Sequence, residues 1–184
     1  QVTRSEEPGD PTEIRGSLYT ENFFEDPDPW TTWFATLTVY ENDDYGNHLV
    51  QAEIATARAT QICLSEDSTL TETCHALGDP HLAMAETIEA QLGEIQKRTS
   101  GVASVLLVAH VAAHPQAAAH GWRTDVIRYL IDAVGQYGQG ILVAAHADET
   151  GRDSAKLSVG ELASLSFEPF GDTWVRHLDV ETGP

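Results

Sequence analysis

Lysine is scarce in this chain of 184 residues. Only Lys97 and Lys156 occur, and lysine and arginine together number 10 against 29 aspartates and glutamates. The net charge of −19 repels phosphate backbones and anionic lipid surfaces, so neither nucleic acid nor a membrane is expected as a partner. A field of that sign draws cations: an amine, a polyamine or a basic protein. Solubility alone accounts for most of these charges more simply. Long apolar runs are also missing, and none approaches the roughly 20 residues that a membrane helix needs. The opening QVTRSEEPGDPTE carries no apolar signal-peptide core, so the expected compartment is the cytoplasm. Cysteine is limited to Cys63 and Cys74. Their spacing fits neither a zinc pattern nor a disulfide framework, and free thiols are the simplest reading. H-E-x-x-H, a Walker loop and G-x-S-x-G are all absent, which disfavours zinc proteolysis, nucleotide hydrolysis and serine hydrolysis.

What remains is a chain with 41% hydrophobic residues, enough for one domain with a core. Residues 1–13 read as a polar, flexible tail and 14–184 as a single domain. A short strand and loop lie in GSLYTENFFEDPDPW. TTWFATLTVYEN (31–42) alternates and is rich in β-branched and aromatic residues, so it is a strand. A turn at 43–47 leads to a second long strand at 48–64, antiparallel to the first. Helix-start signals at Ser65, Asp67 and Ser68 precede a break at Gly78-Asp79-Pro80. Residues 81–98 form a helix, with Leu82, Ala85, Ile88, Leu92 and Ile95 at helical spacing. VASVLLVAHVAAHP is the most apolar strand and belongs at the centre. The segment GWRTDVIRYLIDAVGQYG is an amphipathic helix, and GILVAAHA (140–147) is another buried strand. Residues 149–165 suggest a weaker helix, and 167–180 a terminal strand or hairpin turning at Gly171-Asp172. The expected class is α+β: a mixed, mostly antiparallel central sheet flanked by helices. The strand–helix–strand unit at 102–147 requires two parallel strands or a split between them.

Residues 104–178 resemble the GNAT N-acetyltransferase superfamily, and the order matches a divergent bacterial subgroup of it. The residues that carry the resemblance are SVLLVAHVAAHP, the turn before WRTDVIRYLIDAV, the strand GILVAAHA, and LASLSFEPFGDTWVRHLD, where Ser166-Phe167 stands in the place of a Gly-Phe pair. The resemblance implies acyl transfer from acetyl-CoA, as co-substrate, to a small or cationic amine. It implies that pantetheine pairs with the central strand at Val111 and Ala113. The pyrophosphate would then rest on the turn and helix start. Backbone amides there favour an anion. In that turn Ala118 takes the place of the customary Arg or Gln, Ala119, Gly121 and Arg123 take the small-residue places, and His120 and Trp122 lie between. Arg123 adds bulk and also a guanidinium able to pair with a phosphate.

Direct transfer needs a base for the ammonium proton and an acid near the leaving thiolate. Leu162 occupies the place of the family's tyrosine acid. The base candidates are His110 on the central strand and Glu53, placed mid-strand where burial would raise its pKa. Each also has a structural reading: a hydrogen-bonded core histidine, and a glutamate that pairs with Arg58 or faces water. His110, His114, His120 and His146 suggest a metal, but His110 and His114 lie about 13 Å apart along a strand, too far for one ion. Two other functions stay open. One is a non-catalytic GNAT-like binding or assembly domain, working through an exposed edge strand near 31–40 or as a homodimer. The other is a different small-molecule enzyme using His110 in a repurposed cleft.

Overall fold

The structure is a computed structural model. It describes residues 12–21, 30–42, 48–64, 69–75, 77, 79–98, 101–115, 121–137, 140–150 and 153–178. The elements in chain order begin with three strands, β1 (Thr12–Glu21), β2 (Trp30–Asn42) and β3 (His48–Cys63). Two helices follow, α1 (Leu70–His75) and α2 (Asp79–Arg98), then β4 (Ser104–Ala113), α3 (Trp122–Gly135) and β5 (Ile141–Ala145). The chain continues through β6 (Ala147–Asp148), β7 (Leu157–Ser158), α4 (Val159–Ser164), β8 (Glu168–Phe170) and β9 (Thr173–Leu178). Seven strands form one sheet in the order β1-β2-β3-β4-β5-β9-β8, and β6 pairs with β7 separately. In the large sheet only β4 and β5 run parallel; the other neighbours are antiparallel. This is the mixed, mostly antiparallel α+β architecture expected from the sequence.

The two central strands are apolar except at Ser104 and His110 of β4, because both faces are covered over most of their length. Leu106 and Val108 of β4, with Ile141 and Val143 of β5, pack among Val126, Ile127, Leu130 and Ile131 of α3. The alternate residues, Val105, Leu107, Leu142 and Ala144, pack among Met84, Ala85 and Ile88 of α2. Period-two alternation thus splits one apolar run between two cores. Small residues set how closely α3 approaches the sheet. Ala35 on β2 and Ala55, Ala57 and Ala59 on β3 all lie in its core. At Gly16 of β1 an added Cβ would stand 2.5 Å from the Tyr129 ring, so the ring occupies the space a side chain would need.

Several expectations about the elements change. Residues 31–40 are not an edge, because β2 lies between β1 and β3. The strand at the start begins at Thr12, within the stretch read as a tail. The helix expected over 149–165 shrinks to Val159–Ser164. Its start is set by a capping box: Glu161 N donates to Ser158 Oγ, and Ser158 N donates to Glu161 Oε2. Ser65, Asp67 and Ser68 lie outside the described residues, and the helix of that region is α1. Among the described residues, no helix is long and apolar enough to cross a membrane.

Candidate functional site

The site lies where β4 and β5 part. The parallel register runs from Ser104 opposite Ile141 to Val108 opposite Ala145. β5 ends there, whereas β4 continues for five residues, four of them paired with β3. A bulge falls at the same point. Val108 faces Ala59 and His110 faces Arg58, so Ala109 has no partner across the ladder. An extra residue bends its strand and redirects the chain beyond it. The β5-side edge of β4 therefore has no strand beside it just past the carboxyl end of β5, the position where open α/β sheets form ligand crevices.

A cleft of about 320 Å3, counted with the solvent at its mouth, sits in this gap. Its walls are Val108, Ala109 and Val111 from β4, Ala145 and His146 from the end of β5, and Met84 from α2. The remaining wall is Ala155, Lys156 and Leu157. The Asp153–Lys156 turn is braced internally. Lys156 N donates to Asp153 O at 3.1 Å, and Ala155 N donates to Asp153 Oδ1 at 3.0 Å. The turn presents the Ala155 carbonyl to β4, where it accepts from Val111 N at 2.9 Å.

The sequence candidates fare unequally. Val111 has a buried side chain and a backbone directed at the cleft, already bonded to Ala155. Ala113 ends β4, half-buried against the α3 core. Gly121 precedes α3 with φ 74 and ψ 15, the left-handed conformation that favours glycine. Trp122 packs on the core. Arg123 does not point into an open cradle: its guanidinium donates to Lys156 O, and its Nε lies 3.5 Å from Glu161 Oε1. Ala118, Ala119 and His120 lie outside the described residues.

The two base candidates are not brought together, and neither lines the cleft. Both are exposed, which removes the burial proposed for Glu53 and the core role proposed for His110. Glu53 faces Thr38, some 15 Å along the sheet from His110 by strand spacing. Leu162 is fully buried in the core. His146 lines the cleft, where sequence reasoning had weighed it only as a metal ligand. Its Nδ1 is 3.1 Å from the Asp172 carbonyl. A carbonyl only accepts, so Nδ1 is the donor in this contact. Among the described residues no three His, Cys, Asp or Glu side chains converge to hold a metal.

Ser166 has φ 62 and is the only non-glycine with positive φ among the described residues. The chain thus makes a glycine-type corner at the Ser-Phe pair, with Phe167 buried behind it. Elsewhere, the side of β1–β3 away from α3 carries Tyr19 stacked on Phe34 at 4.8 Å. Arg15 lies 5.2 Å from the Tyr40 ring and Arg58 lies 5.8 Å from that of Phe34. Compared with models of protein families, with curated proteins and with solved structures, the chain matches none.

Proposed function

We propose that the chain is a GNAT-like N-acyltransferase that uses acetyl-CoA to acylate a small or cationic amine. The carrying observation is the parallel β4–β5 pair that parts at a bulge and opens a cleft at its carboxyl end. The left-handed Gly121 before α3 and the left-handed Ser166 before Phe167 support the same reading, since both fall where the resemblance calls for glycine. In this reading His146 replaces His110 and Glu53 as base. Its Nε2 takes a proton from the ammonium, and the amine attacks the thioester carbonyl. The tetrahedral intermediate expels the thiolate, which is protonated from solvent because Leu162 supplies no acid. The −19 charge concentrates the cationic acceptor and disfavours nucleic acid and membrane, in keeping with a cytoplasmic setting. Calorimetric titration with acetyl-CoA, followed by a thiol-release assay over a panel of amines, tests the proposal. Heat of binding and amine-dependent thiol release are expected; neither at millimolar cofactor would overturn it.

A second reading is favoured by the bond between Val111 N and Ala155 O, which fills the strand edge that a pantetheine arm would use. On that reading the chain is a non-catalytic GNAT-like binding or assembly domain. Acetyl transfer by the native protein would exclude it.

A further inference from the structure

The gap beside β4 and the turn that fills it are held together by contacts of an unusual kind. Between Asp153 and Lys156 the turn buries no large apolar side chain. Asp153 and Ser154 are exposed, and Ala155 and Lys156 are half-buried. Two backbone carbonyls hold it against the body, Ala155 O accepting from Val111 and Lys156 O from the Arg123 guanidinium, and at its start Asp153 N donates to Asp148 Oδ2 of β6. Arg123 is in turn steadied by Glu161 of α4. Behind the turn, Leu157 is fully buried, and β7 is pinned to β6 by the pairs Ala147–Leu157 and Asp148–Ser158. The anchored end is therefore apolar, and the four residues before it are shallow, with three of them polar. Hydrogen bonds without apolar burial mark segments that open at low cost.

We propose that the Asp153–Lys156 turn is a built-in competitor for the β4 edge, latched by Arg123 and pivoting on the anchored Leu157. Its Ala155 carbonyl mimics the amide carbonyl of an extended ligand. Release of the latch exposes the Val111 N–H, which then pairs with such a ligand. On the reading above, that ligand is the amide-bearing arm of the acyl carrier, and the inference rests on that reading for the ligand's identity alone. Arg123 holds the turn through Lys156 O in the closed form, and once released it stays beside Glu161 near the start of α3.

Two variants separate the latch from the ligand. Arg123→Ala removes the bond to Lys156 O. Asp153→Ala removes the side-chain part of the brace inside the turn, the bond from Ala155 N and the ion pair with Lys156, and touches neither α3 nor β4. The readout is the exchange rate of the Val111 amide, with the Leu142 amide in the sheet centre as reference. Loss of one charge-assisted hydrogen bond corresponds to about 10- to 100-fold. Val111 is expected to exchange faster by that factor in both variants while Leu142 is unchanged. If Val111 stays as protected as Leu142 in both, the turn is part of the core and the proposal fails. Acetyl-CoA is then titrated into Asp153→Ala. Tighter binding than to the native chain supports the competitor. Weaker binding than to the native chain overturns it. Faster Val111 exchange with no binding in either protein leaves the latch standing and refutes the acyl-CoA reading.

Discussion

Gly140 provides a demanding test of how the two parallel strands are set. It precedes β5 with φ 63, and a Cβ placed on it would lie 2.3 Å from the Gly101 carbonyl oxygen. Its own carbonyl accepts from Ala103 N at 2.8 Å and from Ser104 N at 3.3 Å, which fixes where β4 begins relative to β5. Gly140→Ala therefore incurs two costs. A left-handed alanine costs about 1–2 kcal/mol. Moving the backbone away from Gly101 O strains or breaks two hydrogen bonds, each contributing about 1 kcal/mol. The sum is about 3–4 kcal/mol, a fall in Tm of about 10 °C for a domain of this length. Gly101→Ala is the control. Its φ is 79, but nothing lies within 4 Å of the added Cβ, so only the conformational cost of about 1–2 kcal/mol applies. Thermal unfolding followed by circular dichroism compares the two. If Gly140→Ala melts within about 2 °C of Gly101→Ala, the close approach of the two loops is not what sets the register, and the reasoning fails.

Ser166→Gly removes the cost of a left-handed non-glycine residue and is expected to stabilise by about 0.5–1 kcal/mol; an unchanged or lower Tm would contradict that corner. His81 is buried on α2 with Nε2 3.3 Å from Thr60 Oγ1. Burial, and then the nearby Arg58 charge, hold its pKa below the ordinary 6.5, against a backbone hydrogen bond with Leu77 that raises it. The unfolded chain therefore binds this proton first as pH falls, so the contribution of His81 is complete above 6.5 and is lost below it. Denaturant unfolding at pH 7 and pH 5 should show a larger loss for the native chain than for His81→Gln, and equal losses would refute the assignment. Cys63 is exposed and Cys74 buried, with the Cys74 thiol raised to about 11 by burial and then by Glu89. A thiol reagent should titrate one cysteine in the native protein and both in denaturant; prompt reaction of both in the native protein would show that Cys74 of α1 is not packed into the core beside α2.

The strands were legible wherever their side chains alternate and their faces differ. In β2, Ala35 and Leu37 turn to the core under α3, and in β4 the unbroken apolar run announced a strand covered twice. Helices α2 and α3 followed from apolar spacing. Bulges were not legible: Ala109 looks like any other residue of an apolar run, and its lack of a partner depends on β3 across the ladder. The same bulge moved the site, because it shaped the cleft from Ala109, His146 and a turn remote in sequence. Residues 149–165 misled because their polar and apolar residues recur at roughly helical intervals. Ser158-Val159-Gly160-Glu161 is a capping-box signature, and it would have placed the helix start and left Asp153–Lys156 as a turn. Glu53 misled for a related reason. Its apolar neighbours along the strand suggested burial, yet that part of β3 extends beyond β4, since the register with β4 ends at Ala55. The left-handed Ser166 was not legible either, because a serine carries no sign of a glycine-type corner.

The most direct test of the account is an amide-resolved NMR titration of the native chain with acetyl-CoA. Saturable shifts are predicted at Val111, Gly121, Arg123 and His146, the residues around the parted strands and the start of α3. No shift at millimolar cofactor, or shifts confined to the Tyr19–Phe34 side of the sheet, would contradict it.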